Sequence, residues 1–238
     1  MSAACIATLP VALVLTGCVS TQRIAARARL VSARELASQS TTEVTRSNPE
    51  VTVGRLTLIH THTGTAIVAS LRNDTSSTLT DLPISVGIHT HGSHPIYLNR
   101  SANLDYFDSH VAAIAPHGVT TWVFTTRGRV PSGRPFATVG VSALHPSAGA
   151  HLPQIDVSSH AGRPAPGSVA VSVSNRSAVP QYDLPVYAVA VRGGRDVGAG
   201  HAEVTHLGTR ATTTVSINLV GSSQGATLRL IALPTIFN

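Results

Sequence analysis

The stretch "AIVASLRNDTSSTLTDLPISVGIHTHG" (66–92) returns, altered but in step, as "SVAVSVSNRSAVPQYDLPVYAVAVRGG" (168–194). The two align without a gap at an offset of 102 residues: Asn73 meets Asn175, Asp81-Leu82-Pro83 meets Asp183-Leu184-Pro185, and Gly92 meets Gly194. Further on, "TTWVF" (120–124) resembles "TTVSI" (213–217) at an offset of 93, so the first copy is some nine residues longer in between. A period near one hundred residues indicates duplicated domains; solenoid repeats are shorter, about 20–50 residues.

Each copy reads as strands. Ile67, Ala69 and Leu71 alternate with other residues, as do Val169, Val171 and Val173. A period of two puts one face of a strand on a core. Polar turn residues follow Asn73 and Asn175, and a second alternating run follows each Asp-Leu-Pro. The matched positions of Asn73, Asp81 and Pro83 with Asn175, Asp183 and Pro185 mark these six as structural turn residues. In the first copy, strands are expected at roughly 52–59, 65–72, 83–90, 95–99, 110–115, 119–126 and 136–143. The expected fold class is all-β: two tandem immunoglobulin-like antiparallel β-sandwiches, residues 51–145 and 153–238. Between them, "HPSAGAHLPQ" (145–154) has the Pro, Gly and small residues of a linker.

Working outward to the N-terminus, residues 1–18 read "MSAACIATLPVALVLTGC". The apolar run from Ala3 to Leu15 is too short to span a bilayer as a helix, and it fits the core of a secretory signal. It ends in Leu15-Thr16-Gly17-Cys18, which resembles the bacterial lipobox. That resemblance implies a lipoprotein signal peptide at 1–17, cleavage before Cys18 and acylation of the Cys18 thiol. No Lys or Arg precedes the apolar run, a departure from the usual signal. Residues 18–50 then form the anchor and a partly helical spacer, in which Arg23, Arg27, Arg29 and Arg34 are placed to meet anionic headgroups. The cysteine count agrees, since Cys5 leaves with the signal and Cys18 carries lipid, so no thiol remains for a disulfide or a metal.

Composition narrows the function. Of 238 residues, 42% are hydrophobic, 12% charged and 4% aromatic, which suits a β-rich globular chain and not a disordered one. All 17 basic residues are arginine and the formal charge is +6. Beyond 23–34 they are scattered without a basic patch or interleaved aromatics, which argues against a nucleic-acid partner.

The turn pattern, carried by "LRNDT", "PISVGIHTHG" and "APHGVTTWVF", is similar to the immunoglobulin-like modules of bacterial surface lipoproteins of the FxLYD and CARDB kind. The resemblance implies an interaction or scaffold role and no catalytic residues.

Three features of the sequence bear on chemistry. "GSSQG" (221–225) matches the Gly-x-Ser-x-Gly nucleophile elbow, but no acid and no histidine follow Ser223, so it reads as a hairpin turn. The acids, seven Asp and four Glu, show no pair spaced for acid–base work. The 12 histidines include "HTH" at 60–62 and "IHTHGSH" at 88–94. His89 and His91, two apart on one strand face, have chelate spacing, and alternate loops of a sandwich fall at one end, bringing His60, His62, His94 and His117 near. The second copy has Val191, Arg192 and Gly193 in place of "HTH". The expectation is therefore a non-enzymatic, lipid-anchored cell-envelope protein at the extracytoplasmic face. It would bind or scaffold an envelope protein or polymer and need no cofactor. The alternative is a Zn or Cu protein using His60, His62, His89, His91 and His94.

Overall fold

The computed structural model describes residues 28, 44, 46–91, 94–101, 104–142, 151–160 and 167–235. Residues 1–17, Cys18, nearly all of the spacer and most of the expected linker lie outside them. Among the described residues no helix is long and apolar enough to cross a membrane.

The molecule is an all-β sandwich assembly. The first repeat runs through β1 (Val51–His60), β2 (Gly64–Asn73), β3 (Leu79–His89), β4 (Ile96–Tyr97), a 3₁₀ turn (Tyr106–Asp108), β5 (His110–Ile114), β6 (Val119–Arg127) and β7 (Arg134–Val139). The second runs through β8 (Ile155–Ser159), β9 (Ser168–Asn175), β10 (Gln181–Arg192), β11 (Arg195–Leu207), β12 (Thr212–Asn218), β13 (Val220–Gly221) and β14 (Thr227–Ala232). The pairing repeats as the sequence does. The sheet β1-β2-β6 matches β8-β9-β12, and β3 with β4, β5 and β7 matches the sheet β13-β11-β10-β14. All pairings are antiparallel.

Two local devices are duplicated as well. Asn73 and Asn175 each close a turn from within: Oδ1 accepts the backbone N–H and hydroxyl of Thr75 or Ser177, while Nδ2 donates to the carbonyl of Ser77 or Val179. The same amide reaches across to the neighbouring loop, at Ala115 in one copy and Gly208 in the other. These Asn-x-Thr/Ser triplets thus build an internal turn motif. Asp81 and Asp183 take left-handed backbone conformations, φ 53° and 52°, within β3 and β10. Each is skipped in the strand register ahead of the Leu-Pro that follows. The strand expected to start at Pro83 therefore begins at Leu79, ahead of this irregularity. "GSSQG" is not a hairpin: β13 pairs with β11 and β14 with β10, so residues 222–226 arch over two strands of the sheet.

The extra residues of the first copy have a definite place. In the second repeat β11 pairs along the whole of β10, with Val189 opposite Ala199 and Leu184 opposite Val204. In the first repeat that edge of β3 is split: β4 holds Gly87 through Tyr97, β5 holds Leu82 through Val111. Between β4 and β5 the chain carries the 3₁₀ turn Tyr106–Asp108. Asn99 repairs the broken ladder, accepting from Val86 N–H (2.9 Å) and donating to the carbonyls of Ile84 (2.7 Å) and Asp108 (3.0 Å).

The sheets stack in one series. One face of β1-β2-β6 presents Ile67, Ala69, Trp122 and Phe124 to Leu82, Ile84, Val86 and Val139 of the β3 sheet. Its opposite face, with Ala66, Val68 and Val123, packs in the same apolar cluster as Tyr187, Val189 and Ala199 of β10 and β11. Leu184, Val186 and Ala188 point the other way, onto Val169, Val171, Val173 and Ile217. Strand β10 is thus buried on both faces, as its unbroken apolar run "LPVYAVAV" requires. At the rim of the junction Asp196, with a side chain only 4% exposed, accepts a hydrogen bond from Thr57 (2.9 Å) and lies 3.8 Å from Arg55 and 3.5 Å from Arg229. The packed region also starts earlier than Val51: Val44 is buried and its N–H donates to Ser85 Oγ at 2.9 Å.

Candidate functional site

The five turn histidines are spread over two connections. His60 ends β1, exposed, with its Nδ1 3.1 Å from Thr65 Oγ1, and His62 is exposed in the following turn. His89 ends β3 with its ring tilted against Phe136, centroids 4.6 Å apart, and His91 and His94 are exposed beyond it. His117 lies at the other end of the sandwich: its N–H donates to the Thr75 carbonyl, beside the Asn73 turn. That placement corrects the expectation that it shares an end with His60. Among the described residues, metal-type ligands gather instead at Asp105, Asp108 and His201, and none of the five turn histidines belongs to that group.

This cluster is built by the insertion. Trp122, fully buried, donates from Nε1 to the Phe107 carbonyl (3.0 Å). The Tyr106 hydroxyl donates to the Asp81 carboxylate, and its ring stacks on His110 at 4.1 Å and 7°. Burial, with the Asp81 charge beside it, pushes the Tyr106 hydroxyl far above its ordinary pKa, so it remains a donor. Burial also pulls His110 below the ordinary imidazole value, partly opposed by Asp81. Asn99 holds the Asp108 carbonyl. Pinned at these points, the 3₁₀ turn turns the Asp108 side chain toward the second repeat.

There it meets His201, which the same 102-residue offset places opposite Asn99 of the first copy. His201 Nε2 lies 3.1 Å from Asp108 Oδ1. The contact is at ion-pair distance, and Oδ1, although buried, has no hydrogen-bond partner among the described residues. The other ring nitrogen, Nδ1, is 3.4 Å from Thr125 Oγ1 on β6. Tyr187, opposite His201 across the ladder, is fully buried, and its hydroxyl has no hydrogen-bond partner among the described residues. Burial and the Asp108 charge hold that hydroxyl protonated. Asp105 begins the 3₁₀ turn, but its side chain makes no capping hydrogen bond. The group opens onto a cleft of about 340 Å³, lined among others by Thr63, Thr125, Arg127 and Asn218.

Thr125, His201 and Asp108 follow the order of a hydroxyl–imidazole–carboxylate relay. In such a relay the carboxylate holds the imidazole ring; here His201 Nε2 stands 3.1 Å from Asp108 Oδ1 and Thr125 Oγ1 3.4 Å from Nδ1. With the imidazole protonated the contact is an ion pair; with Nε2 unprotonated the two atoms can share a bound cation. The sequence signal for this site was the extra length of the first copy and, within that region, "LDYFD" (104–108) with two acids in five residues; His201 carried none.

Fold and site define a duplicated all-β sandwich protein with a carboxylate–imidazole cluster between its repeats. No family model and no curated protein matches the chain.

Proposed function

We propose that this protein is a lipid-anchored, non-enzymatic binding or scaffolding module at the extracytoplasmic face of the cell membrane, made of two tandem immunoglobulin-like sandwiches. One observation carries the reading: the two repeats share an apolar core through Val68, Val123, Tyr187 and Val189. A shared core makes two sandwiches one stiff body, which suits presenting a surface at a fixed distance from a membrane. Independent domains on a linker would move relative to one another instead. The lipobox-like Leu15-Thr16-Gly17-Cys18 supports the tether, and two or more acyl chains anchor stably where one is marginal. The partner is an envelope protein or polymer.

The test compares wild type with Cys18→Ser. Wild type is expected in the membrane fraction and the variant in the soluble one or unprocessed. After cross-linking, the soluble variant should retain one envelope component at constant stoichiometry. Identical fractionation of the two forms, or consumption of a substrate by either, would overturn the reading.

A further inference from the structure

We propose that Asp105, Asp108 and His201 form a binding site for one divalent transition-metal cation of the Zn²⁺ or Mn²⁺ kind, at the junction of the two repeats. This goes beyond the scaffolding reading and does not depend on the anchor.

Three observations carry it. One ligand atom from each of the three side chains lies within 4.8 Å of the other two. Asp108 is 93% buried, yet among the described residues its Oδ1 has no hydrogen-bond partner, and it sits 3.1 Å from the His201 imidazole nitrogen. A buried carboxylate oxygen costs several kcal/mol unless a positive charge meets it, which a protonated His201 or a cation bound between the two would supply. Thr125 Oγ1 stands beside His201 Nδ1. With Nδ1–H directed at that hydroxyl, Nε2 is the nitrogen left to coordinate, the arrangement that a second N–H contact gives ligating imidazoles.

The donor set defines the ion. Two carboxylates and one imidazole neutralise a divalent cation and mix the oxygen ligands preferred by Mn²⁺ with the nitrogen preferred by Zn²⁺. Ligands at about 2.1 Å from an ion are at most about 4.2 Å apart. Asp108 and His201 already meet that limit. Asp105 is exposed and caps nothing, so a side-chain rotation closes the remaining gap. Three protein ligands leave a coordination position facing the cleft, open to water or to a partner's donor atom. Because Asp105 and Asp108 come from the first repeat and His201 from the second, the ion would also tie the repeats together.

The experiment is calorimetric titration of the full chain, in detergent and stripped with chelator, with Zn²⁺ and separately with Mn²⁺. One equivalent of Zn²⁺ is expected to bind at about micromolar Kd or tighter, with Mn²⁺ weaker in keeping with the usual order of divalent affinities. Asp105→Asn, at an exposed position that folding does not need, should weaken binding at least about tenfold, and so should His201→Gln. A variant with His60, His62, His89, His91 and His94 all changed to Gln should bind as wild type does. No saturable binding would overturn the proposal. So would binding unmoved by Asp105→Asn, or lost in the turn-histidine variant.

Discussion

Asn175→Ala, a change confined to the second repeat, should be felt by Trp122 in the first. Asn175 is 1% exposed. Its amide donates to the carbonyls of Val179 (2.8 Å) and Gly208 (3.1 Å), and its Oδ1 accepts from Ser177 N–H (2.9 Å) and hydroxyl (2.7 Å). Alanine removes all of these and leaves backbone groups behind, some within reach of water. At about 1–3 kcal/mol per buried group left unpaired, with partial rescue by solvent, the loss is about 2–4 kcal/mol. For a chain of this size that is a fall of roughly 4–16 °C in Tm. Trp122 is the single tryptophan and is fully buried in the first repeat. Urea unfolding of the Cys18→Ser form, followed by tryptophan fluorescence, thus reads the first repeat alone. If the repeats share one core, the Trp122 transition moves by the full 2–4 kcal/mol, and Asn73→Ala moves it by a similar amount. A Trp122 transition unchanged in Asn175→Ala, alongside a shifted transition seen by circular dichroism, would refute the shared core.

Two further outcomes follow from the same geometry. His110 is held neutral by burial, so its folded pKa lies below the ordinary 6.5 of the unfolded chain; its contribution is complete above about 6.5 and is lost as pH falls from there toward the folded value. Tm measured from pH 7.5 to 5 should therefore drop, and His110→Phe, which keeps the stack on Tyr106, should flatten that slope; an unchanged slope would count against the buried neutral ring. Val189→Asp places a carboxylate in the fully buried contact between repeats, and limited proteolysis should then cut between residues 142 and 155 far faster than in wild type, equal rates being the contrary result.

Much of this fold was written locally. Alternation at Ile67-Ala69-Leu71 and Val169-Val171-Val173 fixes which faces go inward, because a strand has only two. The recurrence of Asn and of Asp-Leu-Pro at one offset marked backbone positions that only a few residue types satisfy. What escaped was packing between distant elements. Tyr187, Val189 and Val191 stand where the first copy has Ser85, Gly87 and His89, and that contrast records a second buried face that a search for alternation passes over. The site escaped for a related reason. Its acids and its imidazole lie far apart in sequence, and only the stacking of one sheet on another brings them together. The histidine-rich turns stood out by number, yet they sit on exposed connections, and among the described residues none of them joins the carboxylate–imidazole cluster.

The anchor is the most direct point of contact between the proposed function and experiment. Mass spectrometry of the N-terminal peptide from the membrane-extracted protein tests it. The expected species is a mature chain beginning at Cys18 and carrying two or three acyl groups, absent from Cys18→Ser. An intact residue 1–17 segment in the membrane-bound protein, or a processed N-terminus elsewhere without lipid, would contradict it.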